Sequence, residues 1–197
     1  MIMTHRLRGA RRRALQHLAA VALLLTAGIA AADDEPRVRL ETSMGDIVLA
    51  LFPDRAPATV DNFLRLVDDD FYDGLIFHRV VAGFVIQAGG YDVGMNYREP
   101  PGTVVNEAGN GLVNARGTVA MARLDDPDSA DAQFFINVND NDHLNAGPGK
   151  PGYTVFGRVV EGMDVVTEIE LSDTTRKAGM AGVPERPIVI ERASRVE

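Results

Sequence analysis

Residues 77–90 read Phe77-His78-Arg79-Val80-Val81-Ala82-Gly83-Phe84-Val85-Ile86-Gln87-Ala88-Gly89-Gly90. This stretch is strongly apolar and β-like, yet it contains an arginine. Because an arginine is almost never fully buried without a partner, we expect Arg79 to line a cleft instead of the core. If residues 84–87 form a strand, Phe84 and Ile86 share one face while Val85 and Gln87 share the other. The stretch therefore predicts short strands beside a cleft.

The chain before this stretch predicts a β-hairpin followed by a helix. Apolar and charged residues alternate over 37–41, residues 42–45 interrupt the pattern, and the apolar run over 47–52 indicates a strand buried on both faces. Pro57 suits a first helical turn, and apolar residues then recur at i, i+3, i+4 and i+7. This spacing predicts an amphipathic helix that ends near Asp68.

Short β-rich runs dominate the rest of the chain, and they cover residues 75–81, 84–88, 117–122, 133–138, 153–160 and 188–193. Met163, Val166 and Ile169 have helical spacing and predict a second, shorter helix. Many short strands with two helices predict a mainly β domain, a closed barrel with helical caps. Two long connections, over residues 91–116 and 139–152, are rich in Gly, Asn and Pro, and such loops are usually functional.

Residues 1–32 have the pattern of a cleaved signal peptide. Five arginines precede an apolar run over residues 18–29, and Ala30-Ala31-Ala32 offers the small side chains that a signal peptidase requires, so we expect cleavage before Asp33. The run is shorter than the roughly 20 residues that span a bilayer, which disfavours an uncleaved membrane anchor. We expect no membrane insertion after cleavage. Arg11-Arg12-Arg13 hints at twin-arginine export. We predict a single domain over residues 33–197, periplasmic or secreted.

Charge and composition exclude several classes of function. The chain has 20 basic and 28 acidic residues, and five of the basic ones lie in residues 1–32, so the remaining 165 residues carry a net charge of −13. That sign disfavours nucleic acid as a partner, because phosphate backbones require a basic face. The chain has no cysteine, which removes disulfides, thiol nucleophiles and cysteine metal sites.

Other catalytic patterns in the sequence are weak. Only His78 and His143 remain after cleavage, so a zinc site would need mostly carboxylate ligands, and we predict no metal. The acidic residues around Pro127 lack the spacing of a helix-loop-helix calcium site. Ser129 and His143 can be drawn as a nucleophile and its base, but neither lies in a nucleophile-elbow pattern. A hydrolase is therefore the least favoured interpretation.

Five separate blocks carry a family resemblance, and they are the stretch over residues 77–90, Gly117–Ala122, Gln133–Ile136, Asn62-Phe63 and Val155-Phe156-Gly157. In their order along the chain they resemble the cyclophilins, which are peptidyl-prolyl cis-trans isomerases, and the segments 121–123 and 162–166 look like the bacterial branch. The resemblance implies a closed eight-stranded antiparallel barrel capped by two α-helices. It also implies action on proline-containing polypeptides without a cofactor. No exposed amphipathic stretch argues for an obligate partner, so we expect a monomer.

The resemblance implies roles for individual residues. Arg79 corresponds to the catalytic arginine and Gln87 to its polar neighbour. The substrate-binding positions are Phe84, Phe135 and Leu144 as walls of a proline pocket, Ala122 as a backbone partner of the peptide, and Gln133 in the groove. Four positions differ from cyclosporin-sensitive eukaryotic members: where those proteins have Trp, His, Met and Asn, this chain has His143, Tyr153, Val85 and Arg123 respectively. We expect His143, Tyr153 and Val85 to belong to the groove.

The chemistry that this resemblance implies needs no nucleophile, metal or proton transfer. As an X-Pro bond twists, the lone pair returns to the imide nitrogen, and a guanidinium aimed there stabilises the transition state selectively. The alternative is a non-catalytic proline-peptide-binding chaperone module that uses the same groove. Intact Arg79 favours the isomerase.

Overall fold

A computed structural model describes residues 35–196 of the chain. The predicted signal peptide over residues 1–32 and its cleavage site before Asp33 lie outside the described residues. Among the helices of residues 35–196, none has the length and apolar character needed to cross a membrane.

Ten strands and two α-helices make up the regular structure of residues 35–196. The strands are β1 (Arg37–Thr42), β2 (Gly45–Leu51), β3 (Arg79–Val81), β4 (Val85–Ala88), β5 (Thr118–Met121), β6 (Phe134–Asn137), β7 (Val155–Glu161), β8 (Thr174–Lys177), β9 (Met180–Pro184) and β10 (Ile190–Val196). The helices are α1 (Pro57–Asp68) and α2 (Met163–Glu170). The predicted ends of α1 are confirmed, and so is the second helix.

Eight strands form one antiparallel sheet in the order β10-β1-β2-β7-β5-β6-β4-β3. The sheet curls into a barrel-like shell, as predicted, but the seam between its outermost strands is not a continuous ladder. There the N–H of Phe77 donates to the carbonyl of Ile188 at 2.9 Å, and the N–H of Ile190 donates to that of Leu75 at 2.8 Å. The barrel is therefore not strictly closed, and residues 75–78 of the predicted strand 75–81 make isolated bridges and bonds instead of a ladder.

Helix α1 covers the barrel with the apolar face that its spacing predicts. Val60, Phe63 and Val67 are buried. The Phe63 ring lies 5.1 Å from that of Tyr72 and 5.1 Å from that of Phe156, measured between centroids. Burying a large apolar side chain of this kind contributes about 1.5–3 kcal/mol, so this face is what holds α1 on the barrel.

The first turn of α1 is capped from outside the helix. Ala56 at the N-cap provides no side-chain hydrogen bond. Glu107, in the long connection, accepts instead from the N–H groups of Ala58 and Thr59 at 3.1 and 2.9 Å and from the Thr59 hydroxyl at 2.7 Å. A carboxylate at a helix N-terminus satisfies orphan donors and complements the helix dipole. The connection over 91–116 is thereby tied to the barrel cap.

Strands β8 and β9 form a two-stranded ribbon that was not predicted from the sequence. All four residues of β8 are exposed, so the strand has no apolar alternation by which it could be recognised. The ribbon follows α2 and is separate from the eight-stranded sheet.

Candidate active site

The strand register places four residues in one row across the sheet, and three of them are predicted site residues. Arg79 pairs with Gln87 between β3 and β4, Gln87 pairs with Phe135 between β4 and β6, and Phe135 pairs with Ala120 between β6 and β5. Side chains of directly paired residues project from the same face of a sheet. The fold therefore brings together Arg79, Gln87 and Phe135, which are up to 56 residues apart in sequence.

An apolar cluster separate from the main core lies at this row, and we call it the outer cluster. Its buried members are Val85, Ala120, Phe135, Leu144 and Val155, and the partly buried residues packed on it are Phe84, Leu112, Ala122 and Tyr153. Six of these nine positions were predicted from the sequence. Ala120 and Val155 could have been found from alternation along their strands, whereas Leu112 lies in the long connection and gives no such signal. An apolar cluster with partly buried aromatic members suits contact with a compact apolar ring, and we call the surface formed by Phe84, Phe135 and Leu144 the cup.

The aromatic ring of Phe84, in the outer cluster, has a guanidinium and an imidazole beside it. The Cζ of Arg79 lies 5.7 Å from the centroid of the Phe84 ring. The imidazole of His143 stacks on the same ring at 5.3 Å with an interplanar angle of 25°. Arg79 and the exposed His143 therefore both lie beside the ring of Phe84.

Tyr153 packs on the outer cluster beside Phe135. Its ring meets that of Phe135 edge to face at 5.8 Å, and the Cζ of Arg123 lies 4.6 Å from its centroid. The Nε of Arg123 donates to the carbonyl of Gly152 at 3.0 Å, and its Nη1 donates to that of Leu124 at 2.7 Å. The guanidinium of Arg123 thus binds two backbone carbonyls and lies over the ring of Tyr153.

A chain of polar side chains leads away from Arg79. Its Nη1 donates to Oε1 of Gln87 over a long 3.5 Å, and Nε2 of Gln87 donates to Oε1 of Gln133 at 3.1 Å. A Cβ on Gly90 would lie 2.8 Å from Cδ of Gln133, so the side chain of Gln133 occupies space that is free because residue 90 is a glycine. The three ion pairs within residues 35–196 involve other arginines. The guanidinium of Arg79 is therefore only weakly engaged by the protein and can donate to a ligand.

The backbone of Ala122 is partly used by the sheet. Its N–H donates to the carbonyl of Gln133 at 2.9 Å. The backbone bond to a peptide that the resemblance implies would therefore be made by the carbonyl of Ala122. Val85 is 2% exposed, so its side chain supports the pocket wall from behind.

His78 lies next to Arg79 in sequence but inside the protein, where it is 2% exposed. Burial, with a smaller contribution from the positive charge of Arg79, lowers the pKa of His78 from 6.5 to about 4, although hydrogen bonding to Ile76 and Gln133 opposes the shift. The imidazole is therefore neutral at physiological pH. It adds no charge beneath the site.

Ser129 and Asp126 make hydrogen bonds within their own loop. The hydroxyl of Ser129 donates to the carbonyl of Asp126 at 2.6 Å and accepts from the N–H of Leu124 at 2.9 Å, so it organises its own loop. Asp126 in turn caps the N–H of Asp128. No group of three His, Asp or Glu side chains in the described part of the chain is arranged to hold a metal ion.

The chain is similar over most of its length to known proteins. The family described as "Cyclophilin type peptidyl-prolyl cis-trans isomerase/CLD" matches residues 37–195. The peptidyl-prolyl cis-trans isomerase B of Escherichia coli K12 is 50% identical over 157 residues, which cover 78% of this chain and 96% of that protein. A peptidyl-prolyl cis-trans isomerase of Streptomyces antibioticus is 51% identical over 159 residues, 79% of this chain and 96% of the relative.

Solved structures are similar in fold. A cyclophilin type peptidyl-prolyl cis-trans isomerase of Cryptosporidium parvum, crystallised in the presence of the dipeptide Ala-Pro, has a TM-score of 0.68 and 25% identity. The match covers 82% of this chain and 99% of that one.

Proposed function

The chain belongs to the cyclophilin-type peptidyl-prolyl cis-trans isomerase family, and from this premise we propose that it accelerates X-Pro rotation in exported folding proteins through Arg79 and the outer cluster. The proline ring would occupy the cup between Phe84, Phe135 and Leu144. The observation that supports this best is a guanidinium beside the Phe84 ring of the apolar outer cluster, without a carboxylate partner in residues 35–196.

The proposed role of Arg79 follows from the electronic structure of the amide. Rotation has a barrier of about 18–20 kcal/mol because the nitrogen lone pair is delocalised into the carbonyl. In the twisted state the lone pair returns to the nitrogen, which becomes a hydrogen-bond acceptor. A guanidinium that donates to it binds the transition state more strongly than the planar ground state, and only such an interaction raises the rate of the bound substrate.

The magnitudes require more than one residue. Shortening a lifetime of tens of seconds to about a millisecond is an acceleration of about 10⁴–10⁵, or about 5.5–7 kcal/mol. One charge-assisted hydrogen bond contributes only about 1.5–3 kcal/mol. The remainder would come from orientation, with the proline ring fixed in the cup and the preceding carbonyl held by the groove.

The proposed reaction moves no proton. Arginine stays protonated at any working pH, and His78 is buried in its neutral form. We therefore expect kcat/KM to be nearly flat between about pH 6 and 8.

The substrate class is a polypeptide that contains proline, and the relative crystallised with Ala-Pro supports this choice. The test is a line-shape or exchange measurement by NMR on an Ala-Pro peptide, together with its Kd. Acceleration of cis-trans exchange by the wild type supports the isomerase. Saturable binding without acceleration would instead support the non-catalytic chaperone module.

The exported location rests on the sequence of residues 1–32 alone. We propose that the mature protein begins at Asp33 and acts in the periplasm or outside the cell. N-terminal sequencing of protein recovered from the periplasm and the medium tests this, because an intact Met1 in the mature protein would contradict it.

A further inference from the structure

Three buried asparagines lie behind the outer cluster and take no part in the proposed chemistry. Asn114, Asn137 and Asn141 are 1%, 0% and 4% exposed. Buried amides cost free energy unless their donors and acceptors are bonded, and apolar groups of the same shape can be equally stable. What a fully bonded polar network provides is one fixed geometry. We therefore look for the role of this network in the geometry of the residues that it holds, and not in its contribution to the stability of the fold.

The side chains of the three asparagines are bonded to one another in series. Nδ2 of Asn137 donates to the hydroxyl of Thr118 at 2.9 Å and to Oδ1 of Asn114 at 3.2 Å. Nδ2 of Asn141 donates to Oδ1 of Asn137 at 2.8 Å and to the backbone carbonyl of Phe84 at 2.9 Å. The network therefore runs from the start of β5, through β6, to the residue whose ring forms one wall of the cup.

The backbone of Asn141 is fixed as well. Its N–H donates to the carbonyl of Asn114 at 2.8 Å, and its carbonyl accepts from the N–H of Leu144 at 2.8 Å. Leu144 belongs to the outer cluster, and His143 stacks on Phe84 from the same loop. Asn141 is thus bonded both to the carbonyl of Phe84, which also accepts from the N–H of Val138 at 3.1 Å, and to Leu144 of the outer cluster.

We propose that Asn141 is a positioning residue for the proline pocket, holding Phe84 at a fixed distance from Leu144 through the Asn114–Asn137–Asn141 network. The inference rests on the proposed function and names what sets the width of its binding cup. Arg79 makes no hydrogen bond to this network. Asn141 therefore acts on how tightly proline is held and not on the hydrogen bond in the transition state.

The first experiment is a double-mutant cycle between Asn141→Ala and Phe84→Ala on the full chain. The Kd of an Ala-Pro peptide and kcat are measured by NMR at a temperature where circular dichroism shows each variant folded. We expect Asn141→Ala to raise Kd about tenfold, the equivalent of one buried hydrogen bond, with kcat changed less than about threefold. In the Phe84→Ala background it should add less than about twofold, because no ring remains to be positioned.

A matched pair of threonines gives a second test in case Asn141→Ala does not fold. Thr118 and Thr42 each donate to a nearby backbone carbonyl, at 2.7 and 2.6 Å. Only Thr118 also accepts from Asn137, whereas Thr42 accepts from Met44 in the β1–β2 turn. The two variants should lose a comparable amount of stability. Thr118→Val should nevertheless raise the peptide Kd about threefold, whereas Thr42→Val should leave that Kd unchanged.

The outcomes separate the proposals. An unchanged Kd in folded Asn141→Ala, full additivity with Phe84→Ala, or equal effects of the two threonine variants on Kd would overturn the positioning role. If the wild type binds the peptide without accelerating exchange, the proposed function fails, while the Kd comparisons still decide the role of Asn141.

Discussion

Acidification should destabilise this protein through His78. The pKa of the buried imidazole is about 4 against an ordinary value of 6.5, so between these values the unfolded chain binds a proton that the folded chain does not. The stabilising contribution is fully present above pH 6.5 and is lost as the pH falls to 4. At about 1.36 kcal/mol per pH unit, this difference amounts to about 3 kcal/mol, with about 2 kcal/mol already lost at pH 5.

The assay is urea unfolding followed by circular dichroism at pH 7, 6, 5 and 4, for the wild type, His78→Gln and His143→Gln. His78→Gln should be less stable at pH 7 but should show a much flatter dependence from pH 6.5 to 4. His143→Gln should retain the steep dependence, because it removes only an exposed imidazole. The lowered pKa values of Asp68 and Asp92 act below their ordinary value of 3.8 and so outside this window. Equal acid sensitivity of the wild type and His78→Gln would refute the reasoning.

Three further substitutions test separate contacts. Glu107→Ala should lower the free energy of unfolding by about 1–3 kcal/mol, since it leaves buried donors at the start of α1 unpaired, and urea unfolding measures this; no loss would contradict the remote cap. Gly90→Ala should displace Gln133 and lower kcat/KM in the exchange assay, whereas unchanged activity would show that Gln133 is not needed there. Arg123→Lys should raise the peptide Kd about twofold to tenfold by loosening Tyr153, and a Kd equal to that of the wild type would exclude this role.

Local patterns were sufficient to predict most of the fold. The helix Pro57–Asp68 follows from a proline at its start and a regular apolar spacing, and the β1–β2 hairpin follows from alternation that gives way to a buried run. Arg79 was recognised because burying a charged side chain of an apolar strand in a core has a large free-energy cost. These signals depend only on neighbours along the chain.

The features that were not predicted depend on contacts between distant segments. Glu107 caps a helix that begins 50 residues earlier in the chain, and Leu112 joins the outer cluster from an irregular connection. The asparagine network is equally unmarked in sequence, because Asn is common in loops and nothing local shows that Asn141 is buried. Ribbon strand β8 has no buried face at all.

The central claim is that Arg79 stabilises the twisted bond and does not merely bind the peptide. The most direct test measures kcat and Kd for an Ala-Pro peptide with the wild type, Arg79→Lys and Arg79→Ala. The loss of a charge-assisted hydrogen bond of about 1.5–3 kcal/mol predicts that Arg79→Ala lowers kcat about 10- to 150-fold, with Kd changed less than about threefold and Arg79→Lys in between. A folded Arg79→Ala variant that retains its kcat, or loses only affinity, would contradict the account.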